Sequence, residues 1–256
     1  DCGNFSEEYL EAPENENEAI YREICRSLDE KRIEAENQRS AFGTELTDFY
    51  TLWVHQIKTP IAAARLLLQE EKPRPQEIQN ELFKVEQYVE MALGYVRLDS
   101  GTKDLVIAQY PLDEIVRKSI RKYAGQFIRR RIRLIYEGTD QIVLTDEKWL
   151  SFIVEQILSN AVKYTQQGSV TIRVEGDRQL VIEDTGIGIA AEDIPRIFEK
   201  GYTGENGRLG KKSTGIGLYL SQMAAKKLGH TISVESIPGE GSSFKIDLSS
   251  YALQVE

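Results

Sequence analysis

Hydrophobic positions in the first hundred residues recur at steps of three and four, which is the period of an amphipathic α-helix. Residues 15–69 contain no proline before Pro60 and a single glycine, Gly43, so this stretch is predicted to form one long helix. After the turn signal Lys72-Pro73-Arg74-Pro75, the same spacing returns and runs to Leu98. Two antiparallel helices are expected. Because such a hairpin buries only one stripe per helix, two copies should pair into a four-helix bundle.

The pattern changes after Asp99-Ser100-Gly101-Thr102, which is predicted to be a linker. From here on, stretches in which apolar and polar residues alternate, as in β-strands, are interspersed with stretches that have the apolar spacing of a helix. Strands are predicted at residues 132–136, 141–145, 169–174, 180–183, 231–235 and 243–248, and helices at 112–127, 148–164 and 215–228. The chain is therefore expected to be α+β. Residues 1–99 would form an acidic segment and the helical hairpin, and residues 100–256 a mixed sheet layered with helices.

Charge is unevenly distributed along the 256 residues. Residues 1–50 hold 5 basic and 14 acidic side chains, which accounts for the whole formal net charge of −9. Residues 51–256 are therefore neutral overall. A chain with this charge distribution has little long-range attraction for nucleic acid, so no nucleic-acid partner is expected. The basic run of Arg129, Arg130, Arg131 and Arg133 is interpreted as a solvated helix-to-strand junction.

No apolar stretch reaches the roughly 18 residues that a membrane-spanning helix needs, and no signal peptide is visible. Two cysteines, Cys2 and Cys25, cannot build a disulfide framework, which favours a reducing compartment. The sequence begins with Asp1 rather than Met. We therefore expect a piece of a longer protein, whose upstream part could hold membrane helices.

Three elements of the second domain predict a nucleotide site. Asp184 ends an apolar strand and is followed by Gly186 and Gly188, which would let the backbone approach a planar ligand while the carboxylate accepts an adenine amino proton. Residues 201–217 contain six glycines and end at a helix start, a place that binds phosphate. Asn160 and Lys163 share a helix face that could hold Mg²⁺ and phosphate oxygens.

Each of these elements alone is more often structural, since a lone glycine-rich loop is usually just a loop. Their order on one sheet scaffold is what favours nucleotide binding.

His55 is the candidate nucleophile of the helical hairpin. At about 100° per residue its imidazole points about 200° away from Trp53, opposite the apolar stripe, and is predicted to be exposed. Thr59 lies one turn later on nearly the same face, next to Pro60 inside the helix. An incidental surface histidine would be the simpler interpretation, but a nucleotide domain on the same chain favours a chemical role. His230, at a helix end, is predicted to be a capping residue.

Six motifs in this order resemble those of bacterial sensor histidine kinases, over nearly everything after residue 40. They are the phosphoacceptor box His55-Gln56-Ile57-Lys58-Thr59-Pro60, the N box in residues 156–164, the first glycine box Asp184-Thr185-Gly186-Ile187-Gly188, the F box Ile197-Phe198-Glu199-Lys200, the second glycine box Thr214-Gly215-Ile216-Gly217-Leu218 and the third glycine box Gly239-Glu240-Gly241-Ser242-Ser243-Phe244. The chain is also similar to the intramembrane-sensing subfamily, which works beside transporters that confer resistance to peptide antibiotics.

The resemblance implies an α/β sandwich of the gyrase, chaperone and histidine kinase type that binds ATP and Mg²⁺. In it Asp184 recognises adenine, Asn160 holds the metal, and Lys163 and Tyr164 flank the nucleotide. The full implied nucleotide-binding set is Asn160, Lys163, Tyr164, Asp184, Gly186, Gly188, Arg208, Lys211, Thr214, Gly215, Gly217, Leu218 and Ser243. Two positions depart from the family: Gln156 replaces a common asparagine, and residues 201–204 lack an arginine, which Arg208, Lys211 or Lys212 could replace.

The resemblance also implies catalytic roles for His55, Gln56 and Thr59. His55 would be autophosphorylated, Gln56 stands where many relatives have an acidic general base, and Thr59 would orient a water for dephosphorylating a response regulator. The implied partners are that regulator, a second copy of the chain, and a membrane transporter reached through a missing N-terminal region. The chain would be the cytoplasmic region of a cell-membrane protein.

Two other functions are left open by the residues. If the hairpin only oligomerises, the second domain could be an ATP-driven conformational clamp of the gyrase and chaperone superfamily, marked by hydrolysis without phosphohistidine. The departures at Gln56 and Gln156 also permit an interaction module without catalysis, which would bind no nucleotide.

Overall fold

The computed structural model describes residues 16–99, 105–176, 178–204 and 215–249. Its contacts divide the chain into two compact units, Asp1–His55 and Gln56–Glu256. The expected boundary between residues 99 and 100 remains a prediction. No helix in the described ranges combines the length and the apolar character that crossing a membrane requires.

Residues 16–99 form two long helices joined by a turn, as the hydrophobic spacing predicts. Helix α1 spans Glu16–Leu68 and continues through Pro60, and helix α2 spans Pro75–Asp99. Pro75 occupies the first helical position, where its missing N–H costs no hydrogen bond. In the part of α1 that belongs to the first unit, Ile20, Ile24 and Leu28 are exposed. His55 is also exposed, which confirms that expectation.

The rest of the chain builds a layer of helices on a sheet. The elements are β1 (Ala108–Pro111), α3 (Leu112–Arg130), β2 (Ile132–Tyr136), β3 (Ile142–Thr145), α4 (Glu147–Tyr164), β4 (Gly168–Glu175), β5 (Gln179–Asp184), a short 3₁₀ helix (Ile194–Arg196), α5 (Gly217–Lys227), β6 (Thr231–Ile237) and β7 (Gly241–Asp247). The predicted strands and helices are present within two residues at nearly every boundary. Strand β1, which pairs antiparallel with β3, had no expected counterpart.

The main sheet has the strand order β2-β4-β5-β7-β6. Strand β2 runs parallel to β4, and the other neighbours are antiparallel, so the sheet is mixed as expected. Its central strand β5 is almost wholly buried, which places Asp184 at the end of a rigid element. The α+β fold class is therefore confirmed.

Helix α4 joins the sheet to the other helices through one apolar face. The buried residues of this face include Leu150, Ile153, Ile157, Leu158 and Ala161. Asp146 caps its start, where Oδ1 accepts hydrogen bonds from the backbone N–H groups of Lys148 and Trp149 at 2.9 and 3.1 Å. Helices α3 and α5 pack on α4, so its polar face is left for a ligand.

Candidate functional site

A cavity of about 690 Å³ lies within the unit Gln56–Glu256. Its walls come from the last turns of α1, from α2, α3 and α4, from the end of β5, and from the start of α5. Ten of the residues expected at the site line this cavity: Gln56, Thr59, Asn160, Lys163, Tyr164, Asp184, Gly188, Gly215, Gly217 and Leu218. Residues that are far apart in sequence are thus brought to one cleft.

Asp184 is the buried acid of this cavity, with 7% of its surface exposed. Its Oδ1 accepts a hydrogen bond from the backbone N–H of Gly186 at 2.8 Å. Burial in a poorly solvated site raises the pKa of Asp184 to about 6, against the influence of backbone donors from Gly186 and Ser242. A carboxylate placed in this way is a strong acceptor for one amino group and has little competing water.

Gly186 does not line the cavity, but it allows the Asp184 geometry. A Cβ at Gly186 would lie 2.6 Å from Asp184 Oδ1 and 2.9 Å from the carbonyl oxygen of Tyr164. Gly188 has a φ of +69°, and a Cβ there would lie 2.1 Å from the carbonyl oxygen of Ile237. The first glycine box therefore needs glycine for close backbone packing at both positions.

The N-box residues Asn160, Lys163 and Tyr164 line the cavity from the last turns of α4. The Lys163 ammonium lies over the Tyr164 ring, 5.2 Å from its centroid. Arg130 donates hydrogen bonds to the carbonyl oxygens of Val162 and Lys163 at 2.9 and 3.2 Å, and it also lines the cavity. It is more than the solvated junction residue that the sequence suggested, because it caps the end of α4.

The second glycine box brings the start of α5 to the cavity. Backbone N–H of Gly201 donates to the carbonyl oxygen of Gly215 at 3.0 Å, which joins the two ends of the glycine-rich segment. A Cβ at Gly217 would lie 2.4 Å from Gln156 Oε1, so the helix start approaches the N box closely. Three further expected residues, Arg208, Lys211 and Thr214, lie outside the described residues.

Ser243 is one expected residue that the structure does not bring to the cavity. In β7 it pairs with Glu183, whereas its neighbour Ser242 pairs with Asp184 and lines the cavity. Successive side chains of a strand point to opposite faces, so only one of the two serines can face the nucleotide site. Ser242 was missed, although the parity of the strand relative to Asp184 could have identified it.

Gln56 and Thr59 form the part of the cavity wall that belongs to α1. Gln56 Oε1 accepts a hydrogen bond from the Tyr88 hydroxyl of α2 at 3.4 Å. Pro60, also on this wall, is buried. Gln56 and Thr59, the first and fourth residues after the expected phosphoacceptor, therefore line the same cavity as the expected nucleotide residues Asn160 and Asp184.

Carboxylate clusters do not supply a metal site in the described ranges, where no group of three or more His, Cys, Asp or Glu side chains converges. A divalent cation in this cavity would depend on the amide oxygen of Asn160 together with ligand oxygens. That donor set fits Mg²⁺, which keeps several waters and binds through few protein oxygens plus phosphate.

Comparison with known proteins defines the class first. Residues 145–251 match the family model described as histidine kinase-, DNA gyrase B- and HSP90-like ATPase, which confirms an ATP-binding domain of this superfamily. A crystal structure of full-length ShkA in complex with AMPPNP covers 81% of this chain, and the match covers 47% of ShkA, with 22% identity and a TM-score of 0.52. This likeness supports the fold.

Two curated relatives from Bacillus subtilis (strain 168) then define the family. Sensor histidine kinase YxdK is 36% identical over 230 residues, covering 87% of this chain and 70% of YxdK. Sensor protein BceS is 32% identical over 243 residues, covering 93% of this chain and 72% of BceS. The chain therefore belongs to the sensor histidine kinases, and the resemblance inferred from its motifs is confirmed. Its enzyme class is histidine kinase.

Proposed function

We propose that this chain uses ATP and Mg²⁺ to phosphorylate His55 and then transfers the phosphoryl group to an aspartate of a response regulator. The observation that carries the proposal is that Gln56 and Thr59, which follow His55 in α1, line the same cavity as Asp184 and Asn160. One cleft thus contains eight of the expected nucleotide residues and two chain neighbours of the expected acceptor.

The nucleotide would be held by groups of different chemistry along the cavity. Asp184 accepts a hydrogen bond from the adenine amino group, and backbone N–H groups at the start of α5 bind phosphate oxygens. Lys163 adds a positive charge on the wall formed by α4. Mg²⁺ held by Asn160 would neutralise charge that develops on the phosphates.

His55 acts as the nucleophile in this proposal. A ring nitrogen attacks the γ-phosphorus, so that an N–P bond forms, the bond from phosphorus to the β,γ-bridging oxygen breaks, and ADP leaves. The proton of the imidazole passes to solvent or to another base, since the amide of Gln56 cannot accept it. General-base help is typically worth 10² to 10⁴ in rate, so slow basal autophosphorylation is expected.

The second half of the reaction takes place on the regulator. An aspartate carboxylate attacks the phosphorus, the N–P bond breaks, and an acyl phosphate forms on the regulator while His55 is restored. Thr59, one helical turn beyond His55, would orient a water for hydrolysis of that acyl phosphate. The same chain would then act as kinase and as phosphatase.

The burial of the second histidine, His230, supports His55 as the phosphoryl acceptor. The sequence holds two histidines, and His230 is only 2% exposed. Its Nε2 lies 3.0 Å from Thr145 Oγ1, and burial lowers its pKa to about 4. A ring enclosed in this way cannot reach a phosphorus atom, which leaves His55 as the histidine open to phosphorylation.

The hairpin would dimerise through apolar side chains that one copy leaves exposed. Leu82, Val89, Leu93 and Val96 of α2 and Ile61 of α1 are more than one third exposed. Their spacing follows a helical stripe, and a second hairpin would cover it in a four-helix bundle. On the resemblance to intramembrane-sensing kinases, we further propose that the chain is the cytoplasmic region of a cell-membrane protein that works with a transporter.

Labelling with ATP that carries a radioactive γ-phosphate tests this function, using protein without a polyhistidine tag. We expect label that is lost in acid and kept in alkali, and no label in His55→Gln although that variant still binds ATP. Mutation of Asn160 to alanine should abolish Mg²⁺-dependent labelling in a folded protein. ATP hydrolysis without a phosphoprotein would instead identify a conformational clamp, and absence of nucleotide binding an interaction module.

A further inference from the structure

The basic run at the end of α3 consists of Arg129, Arg130, Arg131 and Arg133. All four residues are exposed, as expected of a solvated junction between a helix and a strand. Arg130 differs from the other three because it also lines the cavity that contains Asp184. One cation of the basic run therefore faces the nucleotide site.

Helices α3 and α4 lie side by side and run in the same direction. Near their starts, the Lys118 ammonium lies 2.7 Å from Glu147 Oε1, and further along Lys122 lies 2.6 Å from Glu155 Oε2. Arg130 is the last residue of α3 and continues this series of contacts. Its side chain therefore reaches the last turn of α4, which carries three of the expected nucleotide residues.

The Arg130 guanidinium covers part of the carbonyl end of α4. Its Nη1 makes both hydrogen bonds, to the carbonyl oxygens of Val162 and Lys163. Carbonyl groups at the end of a helix carry partial negative charge, which would repel a phosphate, and a cation placed over them reverses the sign of the local charge. Among the residues that the structure describes, none partners Nε or Nη2 of Arg130, so these N–H groups can serve a ligand.

The expected nucleotide contacts give the direction in which ATP would lie along α4. At the adenine end, the Gly186 backbone that supports Asp184 packs against the carbonyl oxygen of Tyr164, the last residue of α4. At the phosphate end, the start of α5 approaches Gln156, which lies about two turns earlier, or about 12 Å along the helix. Arg130 contacts the carbonyl groups directly before Tyr164 and so lies at the adenine end of this span.

We propose that Arg130 binds the α-phosphate of ATP through its Nε and Nη2 groups. This inference rests on the proposed function and adds a residue to its nucleotide site. The α-phosphate is the phosphate nearest to the ribose and adenine, so it is the one within reach of a cation at this end of α4. The planar guanidinium matches two phosphate oxygens with parallel hydrogen bonds, and Lys163 adds a second positive charge on the same wall.

A phosphate contact and a purely structural cap differ in their dependence on the ligand. A cap holds the turn that carries Asn160, Lys163 and Tyr164 whatever is bound, so its loss weakens adenosine and its phosphates by the same factor. A contact with the α-phosphate exists in the complexes of AMP, ADP and ATP but not in that of adenosine. The four ligands therefore separate the two roles of Arg130.

Titrations of the full chain with these four ligands in the presence of Mg²⁺ test the proposal, by calorimetry for ADP and ATP and by amide chemical shifts at millimolar concentrations for adenosine and AMP. Arg130→Gln removes the charge, and Arg130→Lys keeps the charge without the planar group. Arg129→Gln is the matched control, because it removes the same charge one residue earlier, from a side chain outside the cavity. Thermal melts without ligand show that each variant is folded, and if Arg130→Gln is not, the same comparison is made with Arg130→Lys.

We expect Arg130→Gln to bind AMP, ADP and ATP about three- to tenfold more weakly, by the same factor for each, and to bind adenosine as wild type does. Arg130→Lys should lose less affinity, and Arg129→Gln should match wild type. Four results would each overturn the proposal: no loss for any ligand, an equal loss for adenosine, a loss for ATP or for ADP and ATP alone, or the same loss in Arg129→Gln. A wild-type protein that binds none of the four ligands would contradict the proposed function instead.

Discussion

Replacing Asp184 with asparagine should make the nucleotide-free protein more stable and lower its affinity for ATP. Ionised Asp184 is buried, and its pKa is raised from an ordinary value of about 3.9 to about 6. At neutral pH the folded state therefore holds a carboxylate at a cost of about 3 kcal/mol. The amide keeps the acceptor for the Gly186 N–H but loses part of what the Ser242 N–H contributes, so a net gain of about 1 to 3 kcal/mol is expected.

The sign of the pH dependence follows from the raised pKa. Above about pH 6 the folded protein carries the buried charge in full, so wild type is then less stable than Asp184→Asn. As the pH falls from 6 towards 4, the folded state binds its proton while the unfolded state is still ionised, and the difference disappears. For a chain of this size the difference at pH 7.5 corresponds to roughly 2 to 10 °C in Tm.

Thermal melts of the two proteins without nucleotide, at pH 7.5 and at pH 5, measure the stability change, and calorimetric titration measures ATP affinity. Loss of a charge-assisted hydrogen bond to adenine should weaken ATP binding by about 10- to 150-fold. Glu183→Gln is a matched control, because it removes the same charge from the same strand. The Glu183 side chain is 45% exposed and pairs with Arg173, so it does not carry a comparable cost of burial. A Tm of Asp184→Asn no higher than that of wild type at pH 7.5 would contradict the cost of the buried carboxylate, and equal ATP affinity would contradict its contact with adenine.

Three further substitutions test other parts of the site. Gln56→Glu should raise the initial labelling rate by restoring a general base, and a variant no faster than its parent would remove that argument. Thr59→Ala should label like wild type but slow dephosphorylation of a response regulator about tenfold or more, and an unchanged phosphatase rate would contradict the water-orienting role. The Lys122 ammonium of α3 lies 2.6 Å from Glu90 Oε2 of α2 and 2.6 Å from Glu155 Oε2 of α4, and the Glu90 side chain is 48% exposed. Lys122→Met should therefore slow labelling by up to about fivefold at unchanged ATP affinity, because a partly exposed ion pair contributes about 0.2 to 1 kcal/mol. The control Lys118→Met breaks a pair within the ATP-binding domain and should leave the rate unchanged, and equal rates in the two variants would discount the contact between Lys122 and Glu90.

Much of the fold could be predicted because its signals are local. The three- and four-residue spacing predicted α1 and α2 almost to the residue, and period-two stretches predicted most of the strands. The family could also be identified from the sequence, since each motif consists of residues that are close together in the chain. Asp184 with Gly186 is an example, because both the acid and the glycine that leaves room for it lie within three residues.

The remaining features depend on partners that are distant in sequence. Lys122 meets residues 32 and 33 positions away, and no local pattern distinguishes it from a solvated lysine. Arg130 contacts carbonyl groups 32 and 33 residues further on, so it resembled a surface cation in the sequence. Ser242 and Ser243 differ only in the face of β7 that they occupy, and this is fixed by the register with β5.

The most direct test of the central claim is to locate the phosphoryl group after incubation of the untagged protein with ATP and Mg²⁺, by tandem mass spectrometry at neutral to alkaline pH. The account predicts phosphohistidine at His55 alone, with His230 unmodified and one ADP released for each phosphoryl group bound. Phosphate on His230 or on a hydroxyl residue, or ADP and free phosphate accumulating with His55 unmodified, would contradict it.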